Sequence, residues 1–120
     1  MNAEELLQAV RNGQPVRNED LKGLNLARAD LSGADLSGSD LSGCNLRDAN
    51  LSRANLSRCK LREADLRGAD LRWSNLSQAD LTDARLRRAN LTGSIRIGTK
   101  IKKWGLKGAF IAGPTAYIEE

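Results

Sequence analysis

Acidic and amide side chains recur at five-residue intervals along the chain, as at Asp30, Asp35, Asn45, Asn50 and Asp65. Clustered carboxylates could bind a metal ion or act as general acids and bases. Their even spacing argues against both. Asp and Asn side chains bond their own turn backbone, and a corner every five residues calls for one such residue each time. Cys44 and Cys59 are the other reactive groups. Histidine is absent, so neither a zinc site nor a histidine-based catalytic device is expected. Both cysteines stand where neighbouring units carry Ala, and buried free thiols behave as small hydrophobes. A redox role would require an exposed thiolate. The expectation is no catalytic residue, no metal and no cofactor.

The basic side chains have spacing of their own. Arg47, Arg67, Arg87 and Lys107 lie 20 residues apart. Such a series could hold an acidic protein surface or a polyanion if the fold stacks residues at that interval. Whatever positions these groups must be found in the rest of the sequence.

The chain has 120 residues, enough for one domain. Hydrophobic residues make up 40% and charged residues 28%, but aromatics only 3%, so the core must consist of Leu and Ala. Lys and Arg number 19 against 15 Asp and Glu, a net charge of +4. No apolar run is long enough to span a membrane. The N-terminal MNAEELLQAV lacks a basic region followed by an apolar stretch, so no secretory signal is expected. With two cysteines and no disulfide framework, the cytoplasm is the expected compartment.

Leu occupies every fifth position from Leu21 to Leu91, fifteen times without a gap. Two residues before all but the first two of them stands a small residue, as at Ala34, Ser39, Cys44, Ala49 and Cys59. The unit reads Ala-(Asp/Asn)-Leu-x-x. A period of five suits neither standard element. On a helix it advances about 500°, so the Leu stripe would wander. On a flat strand it would send successive Leu to opposite faces. The pattern is satisfied if the chain turns once per unit, with Leu and the small residue inside a narrow tube.

This pattern resembles the pentapeptide-repeat family, small bacterial proteins common in cyanobacteria, whose consensus is A(D/N)Lxx. The resemblance implies an all-β fold, a right-handed quadrilateral parallel β-helix with 20 residues per coil. Val16 precedes the run in phase, and Ile101, Leu106 and Ile111 continue it. The expected organisation is a capping helix at 1–13, a repeat region at 14–113 and a tail at 114–120. The repeat region is regular over 19–95 and degenerate over 96–113. It amounts to about five coils and a tube roughly 24 Å long at about 4.8 Å per coil. Arg96 falls on an inward position between Ile95 and Ile97, so a bulge or slip is expected there.

Ala3 to Asn12 reads as an amphipathic helix with Leu6, Leu7 and Val10 on one side, capped by Asn2 and stopped by Gly13. It should cover the first coil, whose open edge would otherwise invite aggregation. At the other end an inner column reads Leu24, Cys44, Ala64, Ala84, Trp104. Trp104, Phe110, Tyr117 and Ile118 gather there, as a plug or as an end-to-end homodimer patch of the kind the resemblance implies. Pro114 ends strand pairing.

Under this geometry the column Ala27, Arg47, Arg67, Arg87, Lys107 forms a basic ladder, with Arg28, Arg85 and Arg88 on the same side. A neighbouring face carries Lys22, Lys60, Arg62, Lys100, Lys102 and Lys103, while the face of Ser37, Ser57 and Ser77 is nearly neutral. Asp48, Glu63, Asp65 and Asp83 can relieve part of the repulsion. Trp73, at a corner beside Arg53 and Gly93, is expected to be exposed, packed on Arg53 or Arg72 or serving as a contact anchor. The expected function is a non-catalytic rigid scaffold for protein–protein interaction, with an unidentified and acidic partner. Two alternatives remain. One is a DNA-mimic protein acting on gyrase, which the resemblance includes but which calls for an acidic surface and a longer rod. The other is polyanion or nucleic-acid binding through the basic face, weakened by the want of stacking aromatics other than Trp73 mid-tube.

Overall fold

In the computed structural model, which describes residues 1–112, the chain turns after every five residues and returns to register after twenty. Parallel bridges join Asp20 to Asp40, Asn25 to Asn45, Asp30 to Asn50 and Asp35 to Asn55, and the same step repeats up to Asn90 and Phe110. Each side contributes one bridged residue rather than a longer strand. Three backbone bonds tie one side to the next coil. For the side centred on Leu31, Asn50 N donates to Ala29 O at 2.9 Å, Leu31 N to Asn50 O at 2.8 Å and Gly33 N to Ser52 O at 2.9 Å.

The corner chemistry follows from the unit. Ala34 N donates to Leu31 O at 3.1 Å, closing a β-turn. The residue two after each Leu takes positive φ, a requirement of a type II turn that glycine meets without strain. Gly33 does so at 68°, but Arg53, Glu63, Trp73 and Asp83 do so as well, at 59–61°. The Asp or Asn side chain before Leu accepts the amide hydrogen two residues on, as in Ser32 N to Asp30 Oδ1 at 3.1 Å. The recurrent carboxylates are therefore engaged in building corners.

Inside, the central Leu residues from Leu21 to Leu91 are buried, and most of the small residues with them. Burial of each Leu contributes roughly 2 kcal/mol. Two of the polar small residues donate to a carbonyl of the coil below, while Ser74 Oγ bonds Leu71 O of its own unit at 2.8 Å. Ser39 Oγ reaches Val16 O at 2.9 Å and Thr99 Oγ1 reaches Leu76 O at 2.6 Å. Cys44 and Cys59 do the same toward Leu21 O and Leu36 O, both at 3.0 Å. Both cysteines are free and buried. Burial pushes the Cys44 thiol up to about 11 and the Cys59 thiol up to about 12. Neither thiol should therefore be labelled by a soluble disulfide reagent at pH 8 until the protein unfolds, when both should react. Labelling of native protein at the rate of the urea-unfolded chain would contradict this.

Helix α1, Ala3–Arg11, sits at the N-terminal end with Leu6 fully buried. Asn2 and Glu5 form a reciprocal capping box, with Glu5 N to Asn2 Oδ1 at 2.8 Å and Asn2 N to Glu5 Oε1 at 2.9 Å. Gly13 ends the helix at φ 70°. Gly13 N bonds Val10 O and Gln14 N bonds Ala9 O, both at 2.9 Å, a Schellman closure. The molecule measures 34 × 23 × 22 Å, matching a five-coil tube of roughly 24 Å with one helix layer of about 10 Å laid across its end. No helix among the described residues is long and apolar enough to cross a membrane.

Two expectations near the C-terminal end are overturned. Arg96 causes no slip. Asn75 still bridges Ile95 and Asp80 still bridges Lys100, and Gln78 N bonds Ile97 O at 2.9 Å. Arg96 takes the inward position above Leu76 at 1% exposure, while Ile95 and Ile97 point out. The disturbance comes at the next corner but one. Lys103–Leu106 forms a short 3-10 helix, after which Arg88 N bonds Gly108 O, one residue beyond the regular partner. Trp104 leaves the inner column and is 71% exposed. The column beneath it holds Cys44, Ala64 and Ala84, and an indole cannot replace a methyl in a close-packed tube.

Candidate functional site

The candidate residues lie on the outer surface, placed there by the corners. Along the side centred on Leu26, Leu46, Leu66 and Leu86, the residues flanking each inward Leu point outward, as strand alternation requires. Arg28, Arg47, Arg87, Arg88 and Lys107 are all exposed, as is Arg85. The 20-residue stacking brings Arg47, Arg67 and Arg87 into one column, but the expected fourth rung is displaced: after the 3-10 helix the register shifts by one residue, and Gly108 rather than Lys107 lies over Arg87.

The ladder is not uniform. Arg67 is half-buried and holds Asp65 in a two-pronged pair, Nε to Oδ1 at 2.8 Å and Nη2 to Oδ2 at 2.7 Å. That hydrogen bonding keeps the Asp65 carboxyl below its ordinary range, with the Arg47 charge adding to it. Lower on the face, Arg28 and Arg47 form no ion pair among the described residues, but Asp48 and Asp65 lie beside them and reduce the local positive charge. The upper half differs. Among the described residues, Arg85, Arg87, Arg88 and Lys107 form no ion pair, and the nearby Asp83 is held by Lys102 at 3.1 Å. Arg67 thus belongs to the support of the face rather than to its free charge.

On the neighbouring face, Arg62 pairs with Asp80 at 3.3 Å and Lys22 lies 3.9 Å from Asp20. Trp73 is 54% exposed at φ 61°. Its ring lies across Gly93 of the next coil, so closely that a Cβ there would collide with it. Arg72, an expected packing partner, is held instead by Asp70 at 2.7 Å. Corner residues Asn18 and Asp48 lie over Gly38 and Gly68 in the same way.

At the C-terminal end, Phe110, bridged to Asn90, is 60% exposed and Ile111 40% exposed. Tyr117 and Ile118 lie outside the described residues, as does Pro114. The outward position of Trp104 could have been suspected from its size against Ala84 and from Gly105 beside it, which replaces the usual Asp or Asn of the corner.

A tube of five-residue units, packed inside and variable outside, defines the class as a four-sided solenoid with a charged outer face. The pentapeptide repeat model matches residues 25–62 and 54–93, with eight copies. The chain belongs to the pentapeptide repeat family, whose members fold as right-handed quadrilateral β-helices and are generally structural rather than enzymatic. It is similar to the crystal structure of the pentapeptide repeat protein Rfr23 from the cyanobacterium Cyanothece 51142. That match has 32% identity and a TM-score of 0.77, and covers 87% of this chain and 84% of the other. It is also similar to alr5209, a pentapeptide repeat protein from Nostoc PCC 7120. There the identity is 33% and the TM-score 0.68, covering 92% of this chain and 96% of the other. No curated protein matches the sequence.

Proposed function

We propose that the protein is a rigid, non-catalytic interaction module, a right-handed β-helix of about five coils that presents a basic face to an acidic partner. The carrying observation is the division of labour within the unit. The inward Leu residues are sealed by their neighbours, and chemical variety lies at the outer positions. Repeat arrays bind through such extended outer faces. Right-handed winding is also the usual hand for parallel crossovers.

The test is a pull-down from nuclease-treated lysate with wild type and an Arg47/Arg85/Arg87→Glu variant. Wild type should retain partners that the variant loses. An unchanged partner set places the interface on another face. A DNA mimic would present carboxylates, whereas this face presents Arg28, Arg47, Arg85, Arg87, Arg88 and Lys107, all exposed. A second copy docked end to end is the other reading, favoured by exposed Phe110 and Ile111. Light scattering showing a monomer at high protein concentration would remove it.

A further inference from the structure

The upper half of the basic face carries a feature that charge alone does not explain. Arg85 and Arg87 flank the buried Leu86 and both point outward, and Arg88 follows at the corner with φ 64°. Their backbone is fixed from below by Arg85 N to Ala64 O at 2.9 Å and Leu66 N to Arg85 O at 2.8 Å. The final coil passes over them, pinned by the Asp80–Lys100 bridge on one side and by Arg88 N to Gly108 O at 2.8 Å on the other. Between those pins the 3-10 helix turns Trp104 outward, and Lys107 follows. The result is four cations without an acid partner among the described residues, with a 71% exposed indole in the final coil.

An acidic polypeptide could neutralise the cations, but its carboxylates offer nothing to the indole. A duplex matches the charge but keeps its bases stacked inside. A single strand supplies both phosphates and free base faces, the pairing of basic groove and aromatic platform that such sites use. We propose that Arg85, Arg87, Arg88 and Lys107, with Trp104, bind single-stranded nucleic acid, the phosphates on the cations and one base stacked on the indole. This rests on the reading of that face as an interaction surface and names its acidic occupant as a nucleic-acid strand rather than a protein.

The test is fluorescence anisotropy with a labelled oligothymidylate, its duplex with oligoadenylate, and polyglutamate as competitor. The single strand should bind at low salt, and its affinity should fall with salt at a log–log slope of about −3, given about −0.7 per neutralised phosphate. Trp104→Ala should weaken binding roughly tenfold or more with the slope unchanged. Arg85/Arg87/Arg88→Glu should abolish binding, while Arg53/Arg58→Glu, on other corners, should leave most of it. Thermal melts establish that each variant is folded. No binding at low salt overturns the proposal. So does a duplex that binds as tightly as the single strand. Polyglutamate competing as well as oligothymidylate, with Trp104→Ala silent, would assign the surface to an acidic protein and also overturn it.

Discussion

Leu56→Ala should lower the unfolding free energy by about 2–5 kcal/mol. Leu56 is fully buried at mid-tube, in the column between Leu36 and Leu76. Its carbonyl accepts the Cys59 amide at 3.1 Å and its amide donates to Asn75 O at 2.8 Å, so the backbone around it is pinned on both sides. Little can collapse into the space left by the missing isobutyl group, and the cavity persists. The tube has coils on both sides of this site, and in a stacked array the loss falls on both interfaces. The drop in melting temperature should be about 8–20 °C for a domain of this size. Val16→Ala, in the same column at the first coil, removes fewer atoms and has a coil on only one side, so it should cost less. Urea denaturation followed by circular dichroism measures both. A Leu56→Ala loss under about 1 kcal/mol would mean that the coils do not pack as described.

Gly93→Ala should be clearly worse than Gly33→Ala. Both glycines hold the same corner position, at φ 73° and 68°. A Cβ at Gly33 meets nothing within 4 Å, so the substitution carries only the backbone penalty of positive φ, on the order of 1 kcal/mol. A Cβ at Gly93 meets the Trp73 ring. The indole must swing away, adding roughly 1–3 kcal/mol of packing loss. In a Trp104→Phe background, where Trp73 is the sole indole, its emission should shift to the red in Gly93→Ala and stay put in Gly33→Ala. Equal destabilisation by the two substitutions would show that the ring does not rest on Gly93.

Several site features were legible before any coordinates. The stacking of Arg47, Arg67 and Arg87 follows from a period of five and four sides per coil, whereas the displacement of Lys107 by the 3-10 helix does not. The exposure of Trp73 follows from its corner position. That Asp65 relieves the ladder was legible from its place beside Arg67, but its two-pronged pairing with Arg67 in particular was decided by side-chain geometry. The inward Arg96 was misjudged for a related reason. Residue type argued for a slip, yet the ladder bonds of Ile95, Ile97 and Lys100 to the coil below hold the register regardless of the side chain between them.

By itself the sequence determined the period, the inward and outward positions of the regular coils, the chemistry of each corner and the helix at the N-terminus. These are local consequences of side-chain size and turn preference, repeated in every unit. Only the tertiary structure decided which charges remain unpaired, where the winding breaks, and that Trp104 stands outside the tube. Those depend on whether an indole fits above Ala84 and which carboxylate reaches which guanidinium, matters of volume and distance between coils that a one-dimensional repeat does not carry.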